Sequence, residues 1–212
     1  MTYAELENLL AHYLGLGAVA DDPVVAAAAP ALLNNAQRRI ASFLRIPRVE
    51  ESFAYAGGAH TLTRQALYGG ILMVVDTTNG SPIARVERSR LYSVLPNYTT
   101  ATGPVPRYVV QDELVPSRLY FYPTPTSPVN ISVYYAYAPA DMSVPTDEPF
   151  DGGYQEYHDL VAMLAALDAA TGDFADPANV EYLHKRYQER LIEAARALAV
   201  FDRFAPRTPE EA

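Results

Sequence analysis

No cysteine occurs among the 212 residues, so the chain has no disulfide framework, no thiolate nucleophile and no cysteine-ligated metal. Positive charge is scarce. One lysine, Lys185, and fifteen arginines stand against 25 acidic residues, for a formal charge of -9. That balance argues against a general nucleic-acid binder, which needs a basic stripe to displace counterions from phosphate. The single lysine, beside abundant alanine and proline, reads as a GC-rich coding bias and carries no functional signal. No run approaches the roughly 20 apolar residues that span a bilayer. The longest candidate, Pro23 to Leu33, is short, alanine-rich and interrupted by Pro30. The opening Met1-Thr-Tyr-Ala-Glu-Leu-Glu7 is acidic where a signal peptide is basic, so the chain is expected to be soluble and not exported by that route.

Residue sets that carry reaction chemistry are equally thin. The histidines His12, His60, His158 and His184 sit in separate segments, none at the His-x-x-x-His spacing of a metal pair. Glu156, His158 and Asp159 cluster at a helix start, where acids are favoured by the macrodipole in any case. Asp147, Glu148 and Asp151 could pair as general acid and base, but a solvated turn around Pro145 and Pro149 explains them better. Gly57-Gly58, Gly69-Gly70 and Gly152-Gly153 lack the Lys, Ser or Thr of a phosphate loop, and no Gly-x-Ser-x-Gly occurs. Neither an enzyme nor a cofactor is expected.

What is present is core. Half the residues are hydrophobic and 19% are charged, enough for one large or two small cores. Thr2-x-x-Glu5 has the spacing of a capping box and opens a helix with Leu6, Leu9, Leu10, Tyr13 and Leu14 on one stripe. Asp22-Pro23 is an N-cap with a first-turn proline. Pro30 is expected to break or kink the segment that Asp22 opens, leaving a main helix to Ile46 with Leu33, Ala36, Ile40, Phe43 and Leu44 buried. Helical spacing returns at Tyr154 with Tyr157, Leu160, Val161, Leu164 and Leu167, ended by Gly172. Asp176-Pro177 then opens a long last helix in which Val180, Leu183, Tyr187, Leu191, Ala194, Leu198 and Phe201 recur three and four apart.

Between these segments lie short alternating runs bounded by Gly, Pro and Asn. Asp76-Thr-Thr-Asn-Gly80 has the composition of a hairpin turn. Ile83 to Leu91 alternates as a strand. Arg118 to Tyr122 and Val129 to Tyr137 read as the two arms of a Tyr-rich β-hairpin around Pro123 to Pro128. On the second arm Val129, Ile131, Val133, Tyr135 and Tyr137 share a face. The fold class expected is therefore α+β: a four-helix bundle, two N-terminal and two C-terminal helices, from residues 1–48 and 151–204. It carries an inserted antiparallel β-rich domain at 49–150 and an extended tail at 205–212. Arg85, Arg88 and Arg90 form the densest basic cluster, and Arg38, Arg39, Arg45 and Arg48 a second. Two readings of them stand side by side: solvated surface, or a basic face that meets a neighbouring subunit's acidic one across a heterologous contact.

The order of motifs then acquires a meaning. An amphipathic first helix precedes Leu32-Leu-Asn-Asn-Ala-Gln-Arg-Arg-Ile40. Gly103-Pro-Val-Pro-Arg-Tyr108, Leu119-Tyr-Phe-Tyr-Pro-Thr-Pro125 and Val133-Tyr-Tyr-Ala-Tyr-Ala-Pro139 come next. Tyr154-Gln-Glu-Tyr-His-Asp-Leu160 and Tyr182-Leu-His-Lys-Arg-Tyr187 close the series. Together these resemble the head-to-tail adaptor (connector, tail tubular protein A-like) proteins of tailed bacteriophages, in the same order over nearly the whole chain. The resemblance implies a structural virion protein at the portal vertex, assembled in the host cytoplasm. It would form a dodecameric ring docked under the portal protein, its β part facing the next tail or nozzle protein and DNA passing through the channel. It implies portal contact through the C-terminal segment, for which Phe201, Arg203, Phe204, Pro206 and Arg207 are the candidates. Arg38, Arg39, Arg85, Arg88 and Arg90 are the candidates for contacts between copies. No membrane partner is implied. Three alternatives remain at this stage: a glycan-binding β module using Tyr120, Tyr122, Tyr134 and Tyr135, a cell-wall enzyme using Glu156, His158 or Asp151, and a head-completion or tail-terminator protein.

Overall fold

The computed structural model describes residues 1–170 and 177–204, with side chains to 170 and from 180 to 199. The chain begins with helices α1 (Tyr3–Tyr13) and α2 (Pro23–Leu44), then strands β1 (Arg48–Tyr55), β2 (Ala59–Thr61), β3 (Ala66–Asp76), β4 (Ser81–Pro82) and β5 (Ala84–Arg85). Helix α3 (Arg88–Val94) precedes β6 (Thr102–Gly103), β7 (Tyr108–Gln111), β8 (Arg118–Tyr122), β9 (Thr124–Pro125) and β10 (Val129–Tyr137). Helices α4 (His158–Ala169) and α5 (Pro177–Phe204) complete it. Two compact units result, Met1–Pro47 with Pro139–Asp202, and Arg48–Ala138.

In the helical unit, local chemistry sets where helices start. Thr2 Oγ1 accepts from the Glu5 amide at 3.4 Å while Glu5 Oε2 accepts from the Thr2 amide at 2.8 Å, the reciprocal bonds of a capping box. Asp22 Oδ1 accepts from the Val24 and Val25 amides at 2.8 and 3.1 Å, with Pro23 in the first turn. Pro30 does not break α2, which runs unbroken from Pro23 to Leu44. The residue lies on an exposed side, so water can serve the carbonyl it leaves unpaired, and burial of Val25, Ala29, Leu33, Ala36, Ile40 and Leu44 holds the helix together. Phe43, expected in that stripe, is instead 64% exposed. Helix α4 is apolar nearly all round and is accordingly buried, packing against both α1 and α2. Helix α5 contributes Leu183, Ala194 and Leu198 to the same core.

A polar seam closes this unit. From α2, Asn34 exchanges two hydrogen bonds with the Met142 backbone, at 3.0 and 2.8 Å. Gln37 donates to the Ala140 carbonyl at 2.8 Å and accepts from the Phe150 amide at 3.4 Å. The Asn-x-x-Gln spacing places both amides on one helix face, where they pair with an extended segment as a neighbouring strand would. Beyond it Phe150, Asp151 and Tyr154 all adopt left-handed backbone, with φ of 55°, 55° and 54°. The conformation is held from three sides: the Phe150 ring is fully buried, Gln37 takes its amide, and Asp151 Oδ1 accepts from Ala140 at 3.1 Å.

In the β unit, one sheet has the antiparallel order β1-β10-β3-β4. A second has the order β2-β8-β7-β5, with β5 parallel to β7, and a short parallel pair joins β6 to β9. Strand β10 is central, which explains its near-continuous burial: Val129, Ile131, Val133, Tyr135 and Tyr137 are buried on one side, Ser132 and Ala136 on the other. The Asp76–Gly80 turn forms as expected. Asp76 accepts from the Thr78 and Asn79 amides and from the Asn79 side chain, while Gly80 takes φ +66°.

Three expectations are corrected. The fold is not a four-helix bundle with a β insertion: the described residues hold five helices and ten strands in three sheets, with an antiparallel β core of its own around Ile131, Val133 and Phe121. Helical periodicity identifies the helices, but α4 is enclosed on all sides whereas α5 buries only a narrow stripe, so the four are not equivalent bundle members. The expected Tyr-rich hairpin does not form, because β8 pairs with β2 and β7 while β10 pairs with β1 and β3. The connector's prolines lack donors for a tight turn, and β9 within it pairs with β6 instead. Finally, Ile83 to Leu91 is strand only at Ala84–Arg85. Arg88 and Arg90 belong to α3, where Leu91 is fully buried, since a seven-residue segment cannot separate period 2 from period 3.6. The expected tail at 205–212 lies outside the described residues.

One carboxylate is placed against the grain of the pattern. Glu51 lies in the row of Val49, Phe53 and Tyr55 that faces the core side of β1, an edge strand. It accepts from the Tyr135 hydroxyl at 3.0 Å and the Thr63 amide at 2.9 Å, and His60 Nε2 lies 3.5 Å from its other oxygen. Burial alone would raise the Glu51 carboxyl, but the Thr63 and Tyr135 hydrogen bonds and the nearby His60 ring outweigh it and hold it below the ordinary value. Burial also pushes the Tyr135 hydroxyl up to about 12. A carboxyl depressed in the folded state contributes stability above its unfolded pKa, about 4.3, and loses it as pH falls through the folded value. Glu51→Gln is therefore expected to lower urea resistance at pH 7 and to differ little from the parent near pH 3. An equal deficit at both values would refute the assignment.

Candidate assembly surface

The arginines singled out from the sequence fall in separate places. In the helical unit Arg38 is ion-paired with Asp141, and Arg39 Nη1 lies 2.6 Å from Asp168 Oδ2. Both are exposed pairs, worth about 0–1 kcal/mol each. In the β unit Arg85 Nη1 donates to the Gly69 carbonyl at 3.0 Å and the Ile71 carbonyl at 3.4 Å, bracing β3 from β5. Arg88 stacks its guanidinium over the Tyr120 ring, 5.4 Å from the centroid. Arg90 is exposed on the same helix, and its side chain makes no hydrogen bond or ion pair among the described residues. The structure thus brings Arg88 and Arg90 together on α3, leaves Arg85 nearby in sequence but committed to backbone, and gives Arg38 and Arg39 acidic partners. Of the portal candidates, Phe201, Arg203 and Phe204 fall at the end of α5, where only backbone is described, and Pro206 and Arg207 lie outside the described residues.

Around Arg88 the aromatic side chains form a ladder. Tyr98 meets Tyr92 edge-on at 5.0 Å and Tyr122 edge-on at 5.3 Å, and its hydroxyl donates to that of Tyr92 at 3.3 Å. Tyr120 and Tyr122 are therefore covered on one side by Arg88 and Tyr98. Tyr135 is fully buried in the other sheet, and Tyr134 lies on that sheet too. The four tyrosines of the glycan alternative do not make one platform.

Of the enzyme alternative's side chains, those of His158 and Asp151 are taken up by structural bonds, and that of Glu156 is exposed. His158 is fully buried, with Nε2 2.8 Å from the Gly153 carbonyl and Nδ1 3.0 Å from the Met1 nitrogen. Asp159 receives two bonds from Arg190, which also donates to the Glu156 carbonyl at 2.9 Å. Asp147 accepts from the Ser143 and Val144 amides, which hold its carboxyl below the ordinary value. Among the described residues no cluster of His, Asp and Glu could hold a metal.

Sequence reasoning missed the most exposed apolar side chains of the β unit. Leu114, between β7 and β8, is 93% exposed, and Tyr68, in β3, is 69% exposed. Pairing of β3 with β10 jumps from Ile71 opposite Tyr135 to Ala66 opposite Tyr137, so Leu67 to Gly70 bulge out of the ladder. Asp112 Oδ1 accepts from the Leu114 and Val115 amides at 2.9 and 3.2 Å, and those bonds hold its carboxyl below the ordinary value. The signals that could have found them are Gly69-Gly70 inside a strand and an apolar residue behind Asp112-Glu113.

A family model described as SU10 adaptor protein matches residues 1–209. No curated protein matches the chain.

Proposed function

This chain belongs to the SU10 adaptor family of phage head-to-tail adaptor proteins, and from that premise we propose that it forms a ring beneath the portal. The family places it in the virion at the head–tail junction, between portal and tail proteins. The finer reading is a dodecameric ring whose C-terminal segment, with Phe201, Arg203, Phe204, Pro206 and Arg207, engages the portal. The single observation that carries the proposal is the family match across all but the last three residues.

Electrostatics support the reading. A charge of -9 per copy, repeated around a ring, surrounds a passage through which DNA moves without being held, because no basic stripe is offered to its phosphates. Contacts between copies fit Arg90 better than Arg38 and Arg39, each of which already faces a carboxylate in its own chain, or than Arg85 and Arg88, which are engaged with the Gly69 and Ile71 carbonyls and with the Tyr120 ring. Non-enzymatic structural service is what such an adaptor needs.

Light-scattering mass with negative-stain imaging, with and without the cognate portal protein, tests the proposal. A ring, alone or on portal addition, is expected. A monomer indifferent to portal would refute it. Ending the chain after Arg203 is expected to abolish portal docking while leaving helical content unchanged, and normal docking by the shortened chain would remove the C-terminal segment from the portal contact.

A further inference from the structure

Asparagine followed by glycine occurs once in the chain, at Asn79-Gly80. The other asparagines, Asn8, Asn34, Asn35, Asn97, Asn130 and Asn179, all precede residues that carry a side chain. The distinction is chemical, because a glycine nitrogen has no neighbouring Cβ to keep it from the carboxamide carbon of the asparagine before it. The fold sets the pair in the connection between β3 and β4, with both residues exposed. Gly80 takes φ +66°, and a Cβ on it would meet nothing within 4 Å. Among the described residues no hydrogen bond holds its amide. The nucleophile of the pair is therefore free to turn.

The electrophile is not. Asn79 Nδ2 donates to Asp76 Oδ2 at 2.8 Å, and the Asn79 backbone amide donates to Asp76 Oδ1 at 3.2 Å. Asp76 is fully buried. Two bonds to one fixed anion hold the Asn79 carboxamide away from Gly80 while the turn is closed. The same turn fastens the end of β3 to the start of β10. The Thr77 amide and hydroxyl donate to the Asn130 carbonyl at 2.8 and 3.1 Å, and the Asn130 amide donates to Thr78 Oγ1 at 2.8 Å.

We propose that Asn79 is the deamidation site of this chain and that the Asp76 carboxylate gates it. When the turn opens, the Gly80 nitrogen attacks Asn79 Cγ. A Cγ–N bond forms, the Cγ–Nδ2 bond breaks, and ammonia leaves with the Gly80 amide proton. Water then opens the five-membered imide, at Cγ to leave aspartate or at the Asn79 main-chain carbonyl to leave isoaspartate. Oxidation states do not change, and water is the only co-reactant. Either product replaces the donor that Asp76 held by a carboxylate. A buried anion then faces a second anion where it had a hydrogen bond, so the turn does not close as before. The step is one-way and weakens the β unit, whether or not the chain forms a ring.

Ageing the full chain in mildly alkaline buffer, both native and unfolded in urea, tests this by peptide mapping and mass spectrometry. Asn79 is expected to gain about one mass unit before any other asparagine, and several-fold more slowly in the native chain than in urea. Aged native protein is expected to unfold at a lower urea concentration than fresh protein. Asn79→Asp is expected to show such a loss without ageing, and Asn79→Ser, which offers no carboxamide, to age without further loss. Earlier conversion at another asparagine would remove the site assignment. Equal rates in native buffer and in urea would overturn the gating by Asp76. Deamidated protein as stable as fresh protein would show that the Asp76 contact does not matter to the turn.

Discussion

Replacing Phe150 by alanine is expected to cost the helical unit about 3–5 kcal/mol, the usual range for emptying a large aromatic site in a core. The ring is fully buried in the cluster that includes Leu33, Ile40, Leu160 and Leu164. It lies 5.9 Å, centroid to centroid, from the imidazole of His158, itself fully buried. Loss of the ring therefore loosens the entry to α4 as well as the core. The backbone supplies a second, separable contribution. Phe150 is left-handed, with φ 55° and ψ 36°, a conformation that costs a non-glycine residue about 1–2 kcal/mol. Phe150→Gly removes the same ring but accepts that φ, so it is expected to be less destabilising than Phe150→Ala by about 1 kcal/mol. Urea unfolding monitored by helical circular dichroism reads both differences. Should alanine prove no worse than glycine, the left-handed backbone is not being held against a preference, and the Gln37 and Asp151 bonds are not its restraint.

The second large effect belongs to the β unit. A Cβ on Gly70 would lie 2.8 Å from the Ala136 carbonyl oxygen and 2.9 Å from that of Leu67, with Leu67 Cβ at 3.0 Å. Two of those three atoms are backbone, so no rotamer change can make room. Ala136 sits in the central strand β10, buried on both faces, and cannot retreat. The bulge must give instead. Gly70→Ala is expected to destabilise the β unit by about 1–3 kcal/mol, as overpacking of a filled site does, and Gly70→Val by more. Displacement of the bulge also pulls the Leu67 carbonyl and the Gly69 amide from Gln111, so the display of Tyr68 should be lost with it. Chemical denaturation followed by tyrosine fluorescence measures the first effect. The rate at which a thiol reagent labels a cysteine placed at position 68 measures the second. Parental stability in Gly70→Ala would mean that the bulge is soft and that Tyr68 is not rigidly held.

Both predictions rest on contacts that no reading of the sequence alone could supply, and the reason is the distance along the chain over which they act. Gln37 meets Phe150 and Ala140 across more than a hundred residues. The motif Leu32 to Ile40 shows two amides on a helix, yet nothing in it names the strand-like segment they hold. The same is true of β8 and β10. Each is recognisable by alternation, but pairing is decided by which neighbours bury the most surface, and six residues of proline-rich connector have the composition of a turn without being one. Leu114 and Tyr68 escape a sequence reading because exposure is a property of the packed molecule. A leucine after two acids is equally consistent with a strand end.

What the sequence determined by itself is local, and family-wide. The capping box at Thr2, the Asp22-Pro23 start of α2 and the Asp76–Gly80 turn act over two to four residues, where the covalent chain already brings the partners together. The order of motifs along nearly the whole chain was likewise enough to point to a phage adaptor, because order survives without any knowledge of geometry. The tertiary structure alone decided that the fold is not a four-helix bundle, that α2 survives Pro30, and that Arg38 and Arg39 are paired while Arg90, among the described residues, is not. It alone tied the segments bearing the exposed Tyr68 and Leu114 to one buried glutamine. Each of these is a competition between distant groups for the same volume or the same hydrogen bond, and its outcome exists only once the chain has packed.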